Sequence, residues 1–182
     1  MSLLKQIKSN IPDAIMIYEA TAMDVDDITT IWRQGVLEQG AAANEDHLKV
    51  DNLKKDFRHQ IEQQNENFKF WICLYKDTIV GWRSILPFHV SPNPVVKSGF
   101  GQSSTYVKKE FQGKGIGKML LDYALDYCKN HSNLKYVFGI VLTDNKKSLK
   151  MCDEIGFYNM GTLPKVQNAA FPEWDFLVYQ TK

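Results

Sequence analysis

The stretch Tyr106-Val107-Lys108-Lys109-Glu110-Phe111-Gln112-Gly113-Lys114-Gly115-Ile116-Gly117-Lys118 decides how the rest of the chain is read. A strand ends near Lys108, and the chain turns through three glycines in five residues, Gly113 to Gly117. From Gly117 to Cys128 the apolar residues Leu120, Tyr123, Ala124 and Tyr127 then recur at helical spacing. Glycines lack Cβ atoms, so a ligand can approach the main chain and use its amide donors. Free N–H groups at a helix start, with the positive end of the helix dipole, favour a phosphate by roughly 0.3–1 kcal/mol at an exposed site. Lys108, Lys109, Lys114 and Lys118 add positive charge. A pyrophosphate ligand suits this chemistry.

Other glycine-rich turns fit less well. A Walker turn requires Gly-x-x-x-x-Gly-Lys followed by Ser or Thr, whereas Gly117-Lys118 is followed by Met119 and Gly113 is too near. A dinucleotide fingerprint requires Gly-x-Gly-x-x-Gly early in a βαβ unit; here the order is Gly-x-Gly-x-Gly, past the middle of the chain. A turn that only lets strand and helix pack closely stays open on these residues alone.

Outward from the turn, Ala14 to Ala20 reads as a strand, and Thr21 to Asp24 as a cap for a helix with Val25, Ile28, Trp32 and Val36 on one stripe. Gln39 to Asn44 reads as a loop, before a second helix with Asp51 as cap and Leu53, Phe57 and Ile61 inward. Phe68 to Tyr75 and Thr78 to Leu86 form a hairpin through Lys76-Asp77. Pro87 to Gly99, with three of the six prolines, is a loop, and Gly101 to Lys108 the next strand. Beyond the turn helix come a strand at Tyr136 to Leu142, a helix from Asp144 to Ile155 stopped by Gly156, and strands at Phe157 to Thr162 and Trp174 to Gln180. Leu163 to Glu173 is an irregular connection. The order β-α-α-β-β-β-α-β-α-β-β predicts an α/β fold, a mixed central sheet flanked by helices on both faces. One domain over residues 1–182 is expected, with 1–13 as an N-terminal extension.

Composition narrows the class. Hydrophobic residues make up 44% and charged residues 24% of 182, an ordinary globular balance. A net charge of +1 gives no global pull toward nucleic acid or an anionic membrane. Cys73, Cys128 and Cys152 are scattered and read as reduced thiols. His47, His59, His89 and His131 lack metal-ligand spacing, so no metal is expected. The sequence shows neither a signal-peptide pattern nor an apolar run of the roughly 20 residues that span a bilayer. A cytoplasmic location is expected.

The turn and the segments after it resemble the GCN5-related N-acetyltransferase (GNAT) family, whose acetyl-CoA motif is Gln/Arg-x-x-Gly-x-Gly/Ala after a strand. Gln112, Gly115 and Gly117 occupy its three defining positions. Asn145, Ser148 and Gly156-Phe157 resemble the family's Asn-x-x-Ser…Gly-Phe helix beside the cofactor. Val80-Gly81-Trp82, Pro87-Phe88, Ser103 to Val107 and Trp174-Asp175 look like the branch that acetylates phosphinothricin and methionine sulfone.

The resemblance implies that acetyl-CoA is the co-substrate, its pyrophosphate on the amides of Gly113, Lys114, Gly115, Ile116, Gly117 and Lys118. It implies that the main chain at Val107 pairs with the pantetheine arm and that Asn145 and Ser148 lie beside the cofactor. It implies direct attack by a small-molecule amine, amino-acid-like, without an acyl-enzyme. Dimers are common in that branch, so a homodimer is allowed, although no residue marks its interface. Related enzymes often carry a Glu where this chain has Gln102, and a Tyr or His acid where it has Cys152. An amide is no base, whereas a thiol can donate a proton, its pKa being about 8.5. Cys152, Tyr106 and Asp175 are the catalytic candidates, with Glu19 and Glu38 further carboxylates. Trp82, Arg83, Phe88, His89, Gln102 and Trp174 are candidates for the acceptor pocket, Arg83 through bidentate pairing with a carboxylate. A protein or peptide N-acetyltransferase, and an acyl-CoA-binding module without catalysis, are the alternatives.

Overall fold

The computed structural model describes residues 15–38, 49–88, 99–164 and 172–182. The N-terminal extension, His47, His89, the loop read at Gln39 to Asn44 and most of Pro87 to Gly99 therefore lie outside the described residues. Within the described residues the elements are β1 (Met16–Glu19), α1 (Val25–Glu38), α2 (Val50–Glu62), β2 (Lys69–Tyr75), β3 (Thr78–Pro87) and β4 (Phe100–Val107). They continue with α3 (Ile116–His131), β5 (Tyr136–Leu142), α4 (Lys146–Ile155), β6 (Tyr158–Leu163) and β7 (Trp174–Gln180). This is the order read from the sequence. The strands hydrogen-bond in the order β1-β2-β3-β4-β5-β7-β6. The β4–β5 pair is parallel, while β1–β2, β5–β7 and β6–β7 are antiparallel, which makes the sheet mixed.

Contacts divide the chain into two compact units. The first holds residues up to Asn65, Lys69–Ser84 and Thr105–Ala124, and so includes the glycine turn. Its α1 follows a 3-10 turn, Ala22–Asp24, closed by a capping box in which the Thr21 hydroxyl oxygen accepts from the turn's backbone and the Asp24 carboxylate accepts from Thr21 N at 2.7 Å. Val25, Ile28, Ile31 and Val36 are buried on α1, and Phe57 and Ile61 on α2. Asp51 does not cap α2; Lys49 holds the N-cap place without a side-chain capping hydrogen bond, and Asp51 sits inside the first turn. A carboxylate there still favours the positive helix end. Lys76 and Asp77 have φ of 47° and 60°, the left-handed pair of a type I′ hairpin turn whose twist matches the strands.

Trp82 anchors this core. Its ring lies 5.6 Å from Phe57, 5.8 Å from Phe70 and 5.0 Å from Tyr106, and its indole N–H donates to Ile28 O at 3.0 Å. Cys73, fully buried on β2, has its thiol pushed by burial from 9.0 up to about 12. Below pH 9 both folded and unfolded chains keep that proton. Between the two values only the unfolded chain releases it, so stability falls as pH rises, by about 1.4 kcal/mol per unit. Urea midpoints taken across that range are expected to decline, and Cys73→Ala to decline less steeply.

The second unit holds 66–68, 85–104 and 125–182. Here β5 pairs along its whole length with β7, from Tyr136 opposite Gln180 to Leu142 opposite Trp174. Because side chains alternate along strands, Phe138, Ile140 and Leu142 share one face with Val178, Phe176 and Trp174. Val137, Gly139, Asp175, Leu177 and Tyr179 belong to the other face, where the Phe157 ring stands 5.2 Å from Tyr179. Helix α4 begins at Asn145, whose Oδ1 accepts from Ser148 N at 3.1 Å, and ends at Gly156 in a left-handed cap.

Candidate active site

The turn after β4 is held from within its own unit. Gln112 Nε2 donates to Val107 O at 3.0 Å, tying the turn to the strand end, while Lys108 N donates to Val80 O at 2.9 Å. Gly113 and Gly115 have φ of +73° and +84°, and a Cβ on either would meet nothing within 4 Å. Both face open space rather than neighbouring atoms. Close packing therefore does not explain these glycines, but the left-handed backbone does, and it leaves the main chain bare. The helix's first backbone bond runs from Met119 N to Gly115 O, so the amides of Ile116, Gly117 and Lys118 lack intrahelical acceptors. Ile116 is 1% exposed and anchors the helix start in the core.

The four lysines differ in a way the sequence does not reveal. Lys108 pairs with Asp27 at 3.7 Å, Lys109 with Glu38 at 3.4 Å, and Lys118 with Asp122 at 2.9 Å. Lys114 instead sits over the Phe111 ring, 5.0 Å from its centroid, with an exposed head. It is the lysine best placed to meet an anion. Lys114→Ala is expected to weaken acetyl-CoA binding about two- to fivefold, less at high salt, and Lys109→Ala to change it less. Titration calorimetry at two ionic strengths checks this.

The catalytic candidates occupy different surroundings. Tyr106 packs against Trp82 and α1, where a Cβ on Gly35 would stand 2.7 Å from its Cδ1. Burial holds its phenol above the usual value, opposed in part by the Trp32 indole, so it keeps its proton at neutral pH. That suits a proton donor and not a base. Cys152 is 7% exposed on α4. Asp175 is 5% exposed and accepts from the Thr162 hydroxyl at 2.6 Å, its strand neighbour across β6–β7. Glu19 pairs with Lys69 at 2.7 Å, and Glu38 with Lys109.

The acceptor candidates separate. Trp82 is core, and Arg83, 3% exposed, uses its guanidinium on the Thr105 hydroxyl. Neighbouring residues of one strand point to opposite faces, so these two cannot line one surface. Phe88, Gln102 and Trp174 fall instead on one face of the sheet. Gln102 is paired with Phe138 in the β4–β5 ladder, and the Phe88 ring lies 4.7 Å from Phe138 and 5.8 Å from Phe176. All share the face that ends at Trp174, and Asp175 lies on the other. Phe138 and Phe176, which periodicity assigns simply to strands, complete this surface.

No helix among the described residues is long and apolar enough to cross a membrane. No curated protein matches the chain. Among solved structures it is similar to a phosphinothricin acetyltransferase from Sinorhizobium meliloti in complex with acetyl-CoA. The TM-score is 0.76 at 20% identity, over 91% of this chain and 88% of that one. It is also similar to a ribosomal-protein-alanine N-acetyltransferase from Brucella melitensis, with TM-score 0.76 and 20% identity over 90% of this chain and 98% of that one. An N-acetyltransferase from Staphylococcus aureus gives TM-score 0.76 at 18% identity, over 92% and 99%. Identities this low show the fold alone. The model of the acetyltransferase (GNAT) family, however, matches residues 37–157, more than half of the sequence and the whole of the turn. The chain belongs to the acetyltransferase (GNAT) family.

Proposed function

We propose that this GNAT acetyltransferase transfers acetyl from acetyl-CoA to the primary amine of a small, amino-acid-like molecule, within one catalytic domain and in the cytoplasm. The observation that carries the reading is the bare glycine turn of Gly113 to Lys118, whose amides and Lys114 would receive the pyrophosphate. In the reaction the amine nitrogen attacks the thioester carbonyl carbon, the C–S bond breaks, and the departing sulfur takes a proton. The chain's part is orientation and a proton source. Tyr106, protonated at neutral pH, is the proposed donor, with Cys152 second. Gln102 cannot remove a proton, but its side-chain carbonyl can accept a hydrogen bond from the amine, which then loses its proton to water. Asp175 is given a structural role through Thr162.

A protein N-terminus is the competing acceptor, because the phosphinothricin and ribosomal-protein enzymes are equally similar in fold. Acetyl-CoA-dependent thiol release, run against amino acids, methionine sulfone, phosphinothricin, polyamines and short peptides, tests the choice. Stimulation by an amino-acid-like amine supports the proposal. Stimulation by peptides alone overturns it.

A further inference from the structure

Two indoles of this protein are treated differently. Trp82 Nε1 donates to Ile28 O, as buried donors generally find partners. Trp174 Nε1 is just as closed to solvent and has no hydrogen-bond partner among the described residues. An indole N–H can only donate, so whatever satisfies it must carry an acceptor atom. Trp174 stands at the end of the face bearing Phe88, Phe138 and Phe176, whose ring centroids lie 4.7 to 5.8 Å apart and whose surfaces are half-buried. Gln102, at the position where related enzymes carry a carboxylate, sits on that face opposite Phe138.

We infer that this face receives the acceptor: an amine with an aromatic or bulky apolar body, bearing an oxygen that takes the hydrogen bond of Trp174 Nε1. The rings cover the body, Gln102 meets the amine, and the oxygen is that of a carboxamide, carboxylate or sulfone. This rests on the small-amine reading above and narrows it. It sets glycine-sized amines apart from larger ones and makes Trp174 a specificity determinant rather than a catalytic group.

The test uses the full chain with phenylalaninamide, phenylalanine, phenethylamine and glycinamide, measuring both acetyl transfer and calorimetric binding to the CoA-loaded protein. Phenylalaninamide or phenylalanine is expected to exceed both phenethylamine, which lacks the oxygen, and glycinamide, which lacks the body, about tenfold. The comparison of amide with acid identifies the oxygen. Trp174→Phe keeps the ring and removes the N–H; it is expected to erase the preference over phenethylamine while leaving acetyl-CoA affinity unchanged. A preference that survives in Trp174→Phe overturns the inference, as does equal binding of glycinamide, or no binding of any probe. Binding without transfer, lost in Trp174→Phe, upholds the inference and counts against the proposed reaction.

Discussion

Gly115→Val is expected to lower acetyl-CoA affinity by about 100-fold or more, equivalent to roughly 2.7 kcal/mol. Two effects add. The residue sits at φ +84°, where an L side chain costs about 1–2 kcal/mol, so the turn would shift away from the conformation that aims its amides. Any branch that did fit would fill the space through which a phosphate approaches. Because a Cβ there meets nothing within 4 Å, the folded protein without ligand has room for it. The loss should therefore appear mainly in binding, with circular dichroism unchanged and only modestly lower stability. Calorimetry with acetyl-CoA decides the matter: an affinity within threefold of the parent would remove the turn from the cofactor site.

Trp82→Ala is expected to cost about 3–5 kcal/mol of stability, a large share of the roughly 5–15 kcal/mol that a domain commonly has. The ring is 2% exposed and touches Phe57, Phe70 and Tyr106, so its removal leaves a cavity bordered by three aromatic side chains. It also strips Ile28 O of its 3.0 Å donor, the bond that fixes α1 to β3. Urea unfolding should show a lower midpoint. Trp82→Phe, which keeps most of the volume, should lose only about 1–3 kcal/mol. A cost for the alanine variant below about 1 kcal/mol would mean that this cluster is not the core of its unit.

The contrast between these sites shows what a sequence carries. Elements are local facts: the Thr21-to-Asp24 box, the Lys76-Asp77 turn and Gly156 at the end of α4 each specify their own geometry within a few residues. The Asp51 reading failed on the same scale, because an acidic residue suits both a cap and a first turn. Faces and ion pairs are set by register. Trp82 and Arg83, adjacent in sequence, point apart, whereas Phe88, Gln102 and Trp174, from three separate segments, share one face once the ladders align. Likewise, four lysines near the turn look equivalent until Asp27 and Glu38 arrive from a helix roughly seventy to eighty residues earlier.

The open space beside Gly113 and Gly115 also bears on how long the protein lasts. A ligand held by that backbone binds the folded chain and not the unfolded one. Acetyl-CoA at about 100 times its dissociation constant would then add roughly 2.7 kcal/mol to the folded state. Thermal unfolding is accordingly expected to move to higher temperature with acetyl-CoA present, and a protease to cut the ligand-free protein faster.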